Sequence, residues 1–192
     1  MILSAGHIRV ELGAHDRCGI RGDPSLNSSV EAVLIHPEYS PTNGNHNLCL
    51  LKLRHVVAFS QFVSPICLPF YGQRLSGKLA WTIGWGENAT SSCTPRTATF
   101  PILPYHSCLR GSSDNKLVTR DKGCLGPLGA KSLFCKGDVG APVMSQWAST
   151  FRLMGVLVQV LACDQPFTPL YTKTIDHLAW IHNHIRNDCQ CV

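Results

Sequence analysis

The sequence predicts an all-β protein closed by one C-terminal helix, and three observations carry that expectation. Apolar and polar residues alternate with a period of two in short segments along the chain. Sixteen glycines and twelve prolines among 192 residues punctuate those segments with turns. Clear helical spacing comes only at the end, where Ile175, Leu178, Ile181 and Ile185 fall on one face.

The elements follow in order. Ile8, Val10 and Leu12 alternate with Arg9 and Glu11 as a first strand. Residues 30–35 and 48–53 are the next two, parted by His36-Pro37-Glu38-Tyr39-Ser40-Pro41, whose prolines cannot donate to a ladder. Leu79, Trp81 and Ile83 mark a fourth strand, ended by the turn Gly84-Trp85-Gly86-Glu87-Asn88. Residues 151–160 and 169–172 are late strands. In the terminal helix Thr174 is placed as N-cap and Asp176 in the first turn, where a side-chain oxygen and a negative charge suit the exposed N–H groups. No internal repeat or low-complexity linker divides the chain.

Composition narrows the functional classes. The chain is 44% hydrophobic and 15% charged, with a net charge of +5. Arg110, Lys116, Arg120, Lys122, Lys131 and Lys136 outnumber Asp114 and Asp121 in one stretch. That run reads first as a solvated loop and second as a weak polyanion-binding face. No nucleic-acid module is present, and no apolar run approaches the ~20 residues that span a bilayer, so neither nucleic acid nor membrane is expected as a partner. Ten cysteines without C-x-x-C knuckles indicate an oxidising, extracellular setting. The sequons at Asn27 and Asn88 are candidate glycosylation sites. Met1 to Gly6 lacks the basic start and apolar core of a signal peptide, so the N-terminus is expected to be incomplete. Among nine histidines, His182 and His184 stand two apart on a helix and face different ways. No metal site and no cofactor are expected.

The segment Phe134-Cys135-Lys136-Gly137-Asp138-Val139-Gly140-Ala141-Pro142 resembles the C-x-G-D-S-G-G-P signature of trypsin/chymotrypsin-like serine proteases. Four further stretches resemble family motifs in order. Val10-Glu11-Leu12-Gly13-Ala14-His15-Asp16 is similar to the V-x-L-G-x-x-D strand, and Pro65-Ile66-Cys67-Leu68-Pro69 to the connector between barrels. Trp81-Thr82-Ile83-Gly84-Trp85-Gly86 resembles the strand opening the second barrel, and Leu178-Ala179-Trp180-Ile181 the closing helix. The resemblance implies two six-stranded antiparallel β-barrels with a C-terminal helix, the first barrel N-terminally truncated. Residues 1–66 would form the incomplete first barrel and 67–192 the second barrel and helix. In flavour the chain is closest to invertebrate clip-domain proteases and their inactive homologues.

The same resemblance implies a degenerate triad. Val139 stands where the nucleophilic serine belongs and has nothing a base could deprotonate. Asn47, in Asn47-Leu48-Cys49-Leu50-Leu51-Lys52-Leu53, replaces the aspartate. That exchange in an active member of this family costs about 10⁴-fold in turnover. His7, in Leu3-Ser4-Ala5-Gly6-His7, takes the base position, with an ordinary surface histidine as the alternative reading. Gly137 and Val139 would be the oxyanion-hole remnant. Leu133, Val158, Val160 and Pro169 would be the former specificity pocket, filled by apolar replacements. Asp138 would be the aspartate that pairs with a new N-terminus in activated relatives. Cys49 shares a strand face with Asn47, but a cysteine there is expected to be buried core.

Two disulfides are implied, Cys108–Cys124 and Cys135–Cys163. In the family the counterpart of Cys67 usually bridges to a segment ahead of this domain, and the pairing of Cys18, Cys49, Cys67, Cys93, Cys189 and Cys191 stays open. The function implied is that of an inactive serine protease homologue, an extracellular binding protein acting as cofactor or decoy in a proteolytic cascade such as innate immunity. Its partners would be cascade proteases or their substrates. The alternatives are an active trypsin-like endopeptidase and a non-functional truncated fragment.

Overall fold

The computed structural model describes residues 4–19, 25–86, 93–111, 115–126, 136–159 and 168–185. Two antiparallel sheets account for most of them. The first holds β1 (Arg9–Leu12), β2 (Leu26–Ile35) and β3 (Cys49–Leu53), in the order β1-β2-β3. The second has six strands: β4 (Leu79–Gly84), β5 (Arg96–Pro101), β6 (Lys122–Cys124), β7 (Pro142–Trp147), β8 (Thr150–Gln159) and β9 (Leu170–Lys173). Their order is β5-β4-β7-β8-β9-β6. A bridge between Ile102 and Leu125 joins the outer edges of β5 and β6. Leu103 N–H donates to Cys124 C=O at 3.0 Å and Gly126 N–H to Pro101 C=O at 2.9 Å. The second sheet thereby curls round until its two edge strands meet at this corner, in the manner of a barrel.

The inward face of β4 is lined by small residues. In β4 it is Ala80, Thr82 and Gly84 that are buried, while Leu79, Trp81 and Ile83 lie on the outer side. The alternation that predicted this strand therefore marks its outer face, where Trp81 meets Phe151 edge-on at 5.4 Å. Inside, Ala80, Phe100, Leu125, Val143, Met154, Leu157 and Tyr171 form one continuous cluster. The Tyr171 ring lies against Gly123 and Gly155, and a Cβ at either glycine would collide with it. Burial pushes the Tyr171 phenol above its ordinary range, with the Asp176 charge adding to the effect. Cys108, Val118, Cys124 and Leu170 make a smaller cluster around the Cys108–Cys124 disulfide.

The three-stranded sheet is thinner. Val30 is its one fully buried hydrophobic residue, and Leu26, Ile35 and Leu51 stay exposed. A disulfide from Cys18 to Cys93 ties this half to the segment before β5, where Arg17 N–H also donates to Cys93 C=O at 3.0 Å. Cys67 is disulfide-bonded as well, so it is not left waiting for a segment ahead of this chain.

The helical parts correct two expectations. A short helix α1 (Tyr105–Gly111), with too little length to show an amphipathic repeat, follows β5. At the C-terminus, a 3-10 turn over Thr174–His177 leads into α2 (Leu178–His184). Thr174 is not an N-cap. It lies inside the 3-10 turn, buried, and its hydroxyl makes no hydrogen bond among the described residues. The close approach to the barrel draws it inward, so α2 begins at Leu178, which is buried with Ile181. No helix among the described residues is long and apolar enough to cross a membrane.

Candidate functional site

His7 and Asn47, which the sequence motifs suggest as base and carboxylate positions, share no hydrogen bond among the described residues. His7 ends a 3-10 turn over Ala5–His7 and is exposed. Its Nδ1 lies 2.9 Å from Oγ of Ser4, three positions earlier at the start of the turn. In a working triad this nitrogen faces the orienting carboxylate. Asn47 is exposed too. It sits at the centre of a tight turn in which Leu48 N–H donates to His46 C=O at 2.7 Å.

The loop that carries Val139 has a regular local architecture. Lys136–Asp138 is a 3-10 turn, and Gly140 follows at φ 96°, a left-handed geometry that favours glycine. Gly140 N–H donates to Leu157 C=O at 2.8 Å and Ala141 N–H to Asp138 C=O at 3.0 Å. Asp138 is buried, and its carboxylate accepts the Gly86 backbone N–H at 2.8 Å. Val139 itself is 52% exposed. The loop backbone is thus hydrogen-bonded on the C-terminal side of Val139, whose isopropyl group stands at its half-exposed tip.

Of the pocket positions, Leu133 and Val160 lie outside the described residues, as do Cys135, Cys163 and Asn88. Val158 packs against the small core around the Cys108–Cys124 bridge. Pro169 is buried, and its carbonyl accepts Leu125 N–H at 3.1 Å. Asn27 is exposed on β2. Cys49 is exposed and its thiol free, contrary to a core role. It opens β3, the outermost strand of a sheet too thin to bury both faces.

A second constellation was not foreseen. His36, directly after β2, His46, before Asn47, and His177, before α2, come together with Asp121. The His36 and His46 rings stack with centroids 4.7 Å apart and planes 8° apart. His177 meets both edge-on. His46 Nδ1 lies 3.1 Å from His177 Nε2, and His177 Nδ1 lies 2.8 Å from the Lys173 carbonyl. His46 holds φ 51°, unusual for a residue with a side chain, and its N–H donates to Asp121 Oδ2 at 3.0 Å. Asp121 also accepts from Thr119 and, at 2.6 Å, from Lys122. Burial alone would raise the Asp121 carboxyl, but the hydrogen bonds from Lys122 and Thr119 outweigh it and hold the group below its ordinary value. The His36 imidazole is lowered, first by burial and then by the neighbouring His177 and His46. Their separations, 10 and 131 residues, carry no periodicity that a sequence reading could use.

A two-sheet, mostly β chain with a curled six-stranded barrel, a Gly-Asp loop and a closing helix defines a chymotrypsin-like fold. The Trypsin family model matches residues 1–181, and the chain belongs to the trypsin family. It is 30% identical over 181 residues to Transmembrane protease serine 5 of Homo sapiens, covering 91% of this chain and 39% of that protein. It is 31% identical over 206 residues to Vitamin K-dependent protein C of Oryctolagus cuniculus, covering 96% of this chain and 44% of that protein. The chain thus spans well under half the length of these relatives.

Proposed function

We propose that this chain is a catalytically inactive member of the trypsin family that works by binding proteins, as an extracellular cofactor or decoy in a proteolytic cascade. The observation that carries the reading is Val139, half exposed at the tip of an otherwise regular Gly-Asp loop. Acyl transfer in this family begins with deprotonation of the residue at that position, and a valine side chain has no proton to give. The placement of His7 and Asn47 supports the same reading, since neither meets the other. A folded loop without a nucleophile retains a surface that can contact a substrate-like segment of a cascade protease or of its substrate.

The test has two arms. Purified chain is treated with a fluorophosphonate probe and with peptide and ester substrates, and no stoichiometric label and no turnover are expected. Binding is then measured by surface capture of trypsin-family proteases, active and active-site-blocked, at physiological salt. Stoichiometric labelling overturns the inactive reading, and the absence of binding to any of them removes the cascade role.

A further inference from the structure

Among the described residues, two groups of side chains bring three metal-ligating atoms close together. One includes Cys18 and Cys93, whose sulfurs are already joined to each other. The other is made only of imidazoles. We propose that His36, His46 and His177 bind one borderline transition-metal ion of the zinc class, which pins the loop between β2 and β3 to the turn before α2.

The ligand nitrogens of the three rings all lie within 4.8 Å of one another. His46 Nδ1 and His177 Nε2 are 3.1 Å apart. Two nitrogens each about 2.0–2.1 Å from a tetrahedral zinc are about 3.3 Å apart, so this pair is already spaced for an ion. The His177 tautomer suits the role. The Lys173 carbonyl can only accept, so His177 Nδ1 carries the proton at 2.8 Å and Nε2 presents its lone pair. This is the outer-shell arrangement that orients metal-bound imidazoles. With the His177 Nε2 lone pair as acceptor, His46 Nδ1 carries the proton in the 3.1 Å contact. Ligation through Nδ1 therefore displaces that proton and shifts His46 to the Nε2–H tautomer, on the side of the Glu38 carboxylate 4.0 Å away.

His36 completes the set by turning. Its ring is parallel to that of His46, and two parallel stacked rings cannot both aim a lone pair at one ion. Ligation therefore breaks the stack, and with it the hydrogen bond that His36 Nδ1 accepts from Glu38 N–H at 3.2 Å. Asp121 stays outside the ligand set, because Thr119, Lys122 and the His46 N–H engage its carboxylate. It lies 4.0 Å from His177 Nε2 and supplies negative charge beside the ion. A set of imidazoles alone favours zinc, copper or nickel over the oxygen-seeking magnesium and calcium.

The ion would join a thinly packed sheet to the well-packed barrel, one residue away from Asn47. Binding is measured on the full chain, stripped with a chelator, by calorimetric titration with Zn²⁺. The same protein is titrated with Co²⁺, whose visible spectrum should show nitrogen ligation and no thiolate band. One equivalent is expected. His46→Asn, His36→Gln and His177→Gln should each weaken Zn²⁺ at least tenfold, and the His182→Gln/His184→Gln double variant should bind as the unaltered chain does. His177 is fully buried, so His46→Asn decides if the His177 variant does not fold; asparagine tolerates the left-handed backbone there. Affinity unchanged in His46→Asn, or no binding by the unaltered chain, overturns the site. Affinity unchanged in His36→Gln overturns the three-imidazole form.

Discussion

Asp121 accepts the backbone N–H of His46 at 3.0 Å, across 75 residues of chain. The bond holds a left-handed residue of the first half against the second barrel, and the same carboxylate neutralises Lys122, whose side chain is 1% exposed. Removing the charge leaves a buried ammonium without its counter-ion, which costs about 3–5 kcal/mol when one partner of such a pair is deleted. Asp121→Asn should therefore lower stability by that order, read as a reduced midpoint of urea denaturation with an unchanged slope. A loss under about 1 kcal/mol, the range of an exposed pair, would show that Lys122 finds another partner.

Restoring the nucleophile should not restore chemistry. In Val139→Ser the new hydroxyl would still lack an oriented base, because His7 Nδ1 is engaged by Ser4 Oγ and Asn47 is turned out to solvent. Fluorophosphonate labelling of Val139→Ser is expected to stay at the level of the parent chain. Rapid stoichiometric labelling would mean that His7 and Asn47 rearrange readily into a working geometry.

Strand existence was legible where turns bounded an alternating run, as in β2, β3 and β4. Which face turned inward was not, because the large side chains of facing strands, Tyr171 and Met154 among them, leave room only for small residues on β4: Ala80 and Thr82 are buried while Trp81 covers the outside. The family motifs located His7, Asn47 and Val139 along the chain. Motif position says nothing of hydrogen bonding, and the capture of His7 by Ser4 comes from the local turn. The His36–His46–His177 cluster depends wholly on tertiary structure, since the loop after β2 and the turn before α2 meet only in the folded chain. The Cys18–Cys93 bridge, 75 residues apart, is of the same kind.

Cys49 should react in the native protein. It is exposed, unpaired and on the outermost strand β3, so access and not unfolding limits its modification. A native Ellman titration should show a thiol that reacts without denaturant and disappears in Cys49→Ser. A thiol count unchanged by that substitution would place the free sulfur elsewhere.

Alkaline pH should destabilise the barrel through Tyr171. Burial raises the phenol's folded pKa above its unfolded value of about 10. Between those values the unfolded chain has lost the proton and the folded chain has kept it, so stability is full below about pH 10 and falls as pH rises beyond it. The slope approaches about 1.4 kcal/mol per pH unit for one such group. Brief urea melts at pH 9 and pH 11 should show the loss, and Tyr171→Phe should flatten it. An equal slope in Tyr171→Phe would assign the effect to other groups.

The two halves should open separately. Before Cys67 the described chain buries one hydrophobic residue, Val30, whereas the barrel of β4–β9 curls round Phe100, Leu125, Met154, Leu157 and Tyr171. Local opening is governed by how much apolar contact resists it. Amides in β1, β2 and β3 are therefore expected to exchange first, tied to the barrel by the Cys18–Cys93 bridge, the Asp121–His46 bond and the His36–His46–His177 contacts. Those in β7 and β8 should exchange last. Asp121→Asn should accelerate exchange around His46 and through β3 more than in β4, because it weakens a charge-assisted tie between the halves. Hydrogen exchange followed by peptide mass analysis resolves these segments, and protection of β2–β3 equal to that of β7–β8 would show that the thin sheet is stabilised by something other than its own core.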